Sequence, residues 1–139
     1  MRTALVLVGS FLILAGCQHF SRARQCRALA DVVNPELKGI SSIFSKRNPA
    51  TAGEFRDLAK KYSMAAMRIQ KLRFMEPELS RLAQGLSNNL QNVSRSCDLL
   101  ASLFGHPEKS AAQGASQELE AQRQYHLTTV SMIDKFCQD

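Results

Sequence analysis

From residue 26 to residue 137 apolar side chains recur at steps of three and four, and no stretch alternates apolar and polar residues for long enough to make a strand. Four stripes stand out. The first is Cys26, Leu29, Val33, Leu37, Ile40 and Phe44. The second is Phe55, Leu58, Tyr62, Ala65, Ile69 and Leu72. The third runs Leu79, Leu82, Leu86, Leu90, Val93, Cys97, Leu100, Phe104. The fourth, Ala112, Ala115, Leu119, Gln122, His126, Val130, Ile133 and Cys137, is the weakest because its middle is polar. Each stripe places one face of a helix against a core.

The breaks between stripes carry turn chemistry. Asn48-Pro49 closes the first, and Thr51-Ala52-Gly53-Glu54 has capping-box spacing, a hydroxyl and a carboxylate three positions apart. Glu76-Pro77-Glu78 sets proline in a first helical turn and acid near the positive end of the helix dipole. Gly105-His106-Pro107 is a stop signal. Asn34-Pro35 interrupts the first segment, where proline removes a backbone donor and clashes with the preceding turn; this predicts a kink near Pro35, with two short helices as the alternative. Four helices of about 23 to 28 residues on short links predict an all-α, antiparallel up-down-up-down four-helix bundle.

Composition keeps to one domain: 139 residues, 45% apolar and 22% charged. The formal charge of +6 is uneven. Between Lys38 and Arg73 nine basic residues face two acids, whereas from Asp98 to Asp139 six acids face three bases. Arg56, Lys60, Lys61, Arg68 and Lys71 are therefore a candidate contact face on the second helix, suited to an acidic protein or an anionic envelope component. Nucleic acid is not an expected partner, because no aromatic residues are interleaved with the charges. There is no His-Glu-x-x-His, no Gly-x-Ser-x-Gly and no phosphate-cradling glycine loop, so no enzyme activity, cofactor or metal is expected.

The first residues point to a compartment. Arg2 precedes an uncharged run from Ala4 to Gly16, too short to span a membrane and laid out like an export signal. The run ends Leu14-Ala15-Gly16-Cys17, which resembles the lipobox of bacterial lipoproteins. That resemblance implies a signal peptide over residues 1–16, cleavage between Gly16 and Cys17, and a diacylglyceryl group on the Cys17 thiol, with acylation of the new amino group. Several acyl chains give lasting anchorage where one does not. Gln18, where an aspartate would retain the protein in the inner membrane, implies the outer membrane, facing the periplasm. Residues 17–25 are then a short lipid-proximal tether and 26–139 the bundle, and loss of Arg2 lowers the formal charge to +5.

Outside the cytoplasm a disulfide is permitted, and Cys26, Cys97 and Cys137 remain to form it. In an antiparallel bundle residues equidistant from a turn share a height. Turns centred near 107, 75 and 48 bring Cys137 to within about 6 Å of Cys26 along the axis, and leave Cys97 about 24 Å away. The expected bond is Cys26–Cys137, with Cys97 free and buried. The same reflection sets His126, Asn89, Tyr62 and Asn34 at one level near mid-bundle. Two functions follow as expectations: an anchored helical interaction or assembly module, and, as the alternative, a carrier holding a small ligand or haem in that polar layer.

Overall fold

The computed structural model describes residues 22–35, 38, 51–105 and 109–138. These residues form an antiparallel up-down-up-down bundle of four helices, and none of them is in a strand. Helix α1 covers residues 22–35, with Lys38 helical as well; α2 is Ala52–Lys71, α3 is Pro77–Leu103 and α4 is Lys109–Gln138. Residues 22–25, the last of the expected tether, are helical. The bend expected at Pro35 falls at the edge of the description, since residues 36, 37 and 39–50 lie outside it. The export segment and Cys17 lie outside it too.

The helix ends follow the cap chemistry. The Thr51 hydroxyl accepts a hydrogen bond from the Glu54 amide at 3.2 Å, and the Glu54 carboxylate accepts one from the Thr51 amide at 2.8 Å. This closes the capping box and satisfies two amides that a helix start leaves free. Pro77 opens α3, where a missing amide hydrogen costs nothing. Past the end of α3, Gly105 takes φ +85°, a left-handed conformation that disfavours a Cβ.

The core is built around α3, which packs against both α2 and α4. Leu79, Leu82, Leu86, Leu90, Val93 and Cys97 of α3 meet Leu58, Tyr62, Ala65 and Ile69 of α2 and Leu119 and Ile133 of α4. Leu29 and Val33 of α1 complete the cluster. The weak fourth stripe remains weak: Gln122 is only half-buried, while His126 and Thr129 occupy buried positions usually held by apolar residues.

A second pattern sets how α2 and α3 are aligned. Buried Ser87 donates its hydroxyl hydrogen to the Ala66 carbonyl at 3.0 Å, and buried Ser94 donates to the Ala59 carbonyl at 2.8 Å. Each step of seven down α2 matches a step of seven up α3, so the next rung joins Ala52 to Ala101. Small residues on both sides let the axes approach to the near end of the usual 8–10 Å range, about 8 Å.

Candidate functional site

The packing of α2 onto α3 uses up one side of α2 and turns the rest outward. Leu58, Ala59, Tyr62, Ala65, Ala66 and Ile69 are buried, whereas Arg56, Lys60, Lys61, Arg68 and Lys71 are all exposed. Met64 and Met67, 43% and 48% exposed, lie among those cations. Because apolar patches on a monomer are small, two half-bare methionines inside a basic field make α2 the most distinctive surface of the bundle.

Three contacts gather α1, the α2–α3 turn and α4 at one end of the molecule. Cys26 and Cys137 are joined by a disulfide with their α-carbons 5.9 Å apart, the pairing expected from bundle height. Arg22 donates to the Phe136 carbonyl and its guanidinium lies 3.9 Å above the Phe136 ring, a cation–π geometry. Gln25 accepts from the amides of Met75 and Glu76, at 2.6 and 3.3 Å. Glu76 itself makes no side-chain cap for α3, so Gln25 of α1 does that work from another helix.

Cys97 is free, fully buried, and its thiol is pushed up to about 11, first by burial and then by the nearby Asp98 carboxylate. A thiol so hard to ionise is a poor nucleophile. Burial, with Cys97 nearby, also raises the Tyr62 phenol above its ordinary range.

The residues expected to share a polar layer sit at different heights. Asn89 is 2% exposed and donates from Nδ2 to the Gln122 carbonyl at 2.9 Å and to its side-chain oxygen at 2.7 Å. Asn89 is thus level with Gln122 on α4 and, by the Ser–Ala register, with Met64 on α2. His126 lies one turn closer to the disulfide end. Tyr62 falls beyond Asn89 on the opposite side, and Asn34, counted from the disulfide, is level with Thr129. The four span about 13 Å of bundle height rather than one layer. The α2–α3 and α3–α4 turns sit displaced by one or two residues from their expected centres, and the two displacements add across the bundle. The cause on the α2–α3 side is that Leu72 and Phe74 pack into the core, and the seam of small residues then sets the alignment. Asn34 is exposed. His126 is buried with no hydrogen-bond partner at Nε2, and burial lowers its pKa.

Besides a hollow of about 270 Å³ on the α2–α3 seam beside Ile69, Ala83 and Ser87, two concavities went unread in the sequence. One, of about 370 Å³, lies between α1 and α4; Leu29, Val33, Leu86, Val130 and Ile133 line it together with the disulfide, Asp31 and Asp134. The other, of about 390 Å³, follows the α3–α4 seam and is lined by Asn88, Asn89, Asn92, Gln122, Glu118 and Tyr125. Gly85 makes room there, since a Cβ on it would stand 3.1 Å from the Tyr125 hydroxyl. Its signal in the chain is three asparagines at 88, 89 and 92, facing a polar stretch of the fourth stripe.

Among the described residues no group of three or more histidines, cysteines or acids is placed to hold a metal ion, and no helix is long and apolar enough to cross a membrane. No family model, no curated protein and no solved structure matches the chain.

Proposed function

We propose that the protein is a lipid-anchored lipoprotein of the bacterial envelope, held at the outer membrane on its periplasmic side, and that its bundle is an interaction or assembly module. The observation that carries the module is the outer face of α2, where Arg56, Lys60 and Lys61 surround Met64 in solvent. Exposed cations attract an anionic partner from a distance, and methionine adapts to whatever surface then arrives. The anchor rests on the uncharged run ending Leu14-Ala15-Gly16-Cys17. The partner is an acidic envelope protein or another anionic envelope component, and the reading assigns no enzymatic step.

Two measurements test it. The mass of the N-terminal peptide from envelope-purified protein should show a chain starting at a lipid-modified Cys17, and Cys17→Ser should abolish the modification. Crosslinking in intact envelopes should capture a partner that is lost when Arg56, Lys60 and Lys61 are changed to Glu. Capture unaffected by that triple change would remove the α2 face from the proposal.

A further inference from the structure

The end of the bundle that holds the start of the described α1, the α2–α3 turn and the end of α4 carries more basic than acidic side chains. Arg22, Arg24 and Arg27 lie in the first turns of α1, and Arg68, Lys71 and Arg73 at the end of α2. Against these six cations stand Glu76 and Asp31. Glu78 is paired with Arg81 at 2.6 Å, and Asp134 is balanced by its neighbour Lys135. The described residues of this pole thus carry a formal net charge of +4; Asp139 lies outside them.

The pole is also the one with a bare apolar tip. Met75 is 84% exposed, the highest among the exposed large apolar side chains. It is held there by its own backbone, because its amide is tied to Gln25 at 2.6 Å. That bond, the Arg22–Phe136 contact and the disulfide join all three chain segments of the pole, so its charges keep fixed positions. The first described residue of helix α1, residue 22, follows Cys17 by five positions and lies at this pole.

We propose that this pole is a docking surface for the anionic headgroups of a lipid bilayer, with Met75 entering the boundary between headgroups and acyl chains. The inference deepens the anchored reading and rests on it: an acyl chain at Cys17 would hold this same pole against the membrane. Lipid, rather than an acidic protein, is the occupant because an exposed unbranched apolar side chain at a basic pole matches a headgroup layer over hydrocarbon. The fixed anchor side of the domain points the same way. A basic residue near an anionic surface contributes about 1 kcal/mol, equivalent to about fivefold in affinity, and the attraction fades within about 8 to 10 Å at ordinary salt.

The test uses the full chain carrying Cys17→Ser, so that no acyl chain contributes. Its co-sedimentation is measured with vesicles of phosphatidylglycerol and phosphatidylcholine and with vesicles of phosphatidylcholine alone. The segment before Cys17, Arg2 included, is the same in every variant, so the change in the ratio of the two affinities on substitution reports the pole. Exposed Arg73→Glu should cut the ratio roughly 25-fold, two charge units at about fivefold each. Exposed Arg95→Glu, high on α3 and about 27 Å along the helix from its start, should change it less than about twofold. Circular dichroism checks that both variants keep their helix content. Equal binding to the two vesicle types, or equal loss for the two variants, overturns the proposal. So does a pole that ignores vesicles and instead retains polyglutamate through Arg73, which would assign it to an acidic protein. The mass of the Cys17 peptide is independent of these results, so a failed pole and a failed anchor are told apart.

Discussion

The α2–α3 pair and the α1–α4 pair solve the same problem by different physics. Between α2 and α3 the alignment is written in small residues: Ala59 and Ala66 take the hydroxyl bonds of Ser94 and Ser87, seven residues apart on each helix. The hydrogen bonds of this seam are buried, and beside them a hollow of about 270 Å³ is lined by Ile69, Leu72, Ala83 and Ser87. Between α1 and α4 lies a cleft of about 370 Å³. There a covalent bond does the aligning, with Cys26 and Cys137 enclosing 111 positions of sequence separation. The lesson is that this bundle has one pair of helices specified by shape and another specified by chemistry that an oxidising compartment must supply.

The largest test of that contrast is to remove the covalent half. Replacing Cys26 and Cys137 by Ser should cost about 4 kcal/mol by the chain-entropy account of a loop this long. Hydrogen exchange should then show α1 losing protection first, with the α2–α3 pair still protected; uniform loss of protection would mean the two pairs do not differ. Next, Ala66→Leu should force the close seam apart at a cost of about 1 to 3 kcal/mol, read as a lowered midpoint in urea at unchanged slope. The same change at exposed Ala121 should be nearly silent. A smaller effect is expected of Ser94→Ala, which keeps the volume and removes one hydrogen bond, at about 1 kcal/mol. Combined with Ser87→Ala its effect should nearly add, because the two sites are about 10 Å apart along the axis.

The smallest effect belongs to pH. Burial lowers the pKa of His126, so the folded state holds the ring neutral while the unfolded state takes up a proton near its ordinary value of about 6.5. The stability that neutral His126 contributes is complete above that pH and is lost as pH falls through it. It stops changing once the folded form is protonated as well. A urea midpoint measured between about pH 7 and 5.5 should fall, and His126→Gln should flatten the slope.

Much of the architecture was legible because helical periodicity is a local property. Four stripes at steps of three and four, a capping box at Thr51 and Glu54, and a proline at the start of α3 are each read within a few residues of one another. The disulfide was legible too, because height in an antiparallel bundle can be counted from the turns, and an error of a residue or two still leaves Cys137 beside Cys26. The exposed cations of α2 followed from the stripe opposite them. The polar layer was not legible to the same standard. Placing His126, Asn89 and Tyr62 at one level required the register to within about one residue, and errors at successive turns accumulate.

What the chain determines by itself, then, is where α2 and α3 begin, which face each helix buries, and which cysteines can meet, since these depend on spacing and cap chemistry. What tertiary structure alone decided is the vertical alignment of the helices. That alignment comes from Ser87 and Ser94 meeting particular carbonyls, from Leu72 and Phe74 being drawn into the core, and from Gln25 capping a helix that lies fifty positions away. Each is a contact between residues far apart in sequence, whose energy depends on fit across a seam that exists only after the helices have packed.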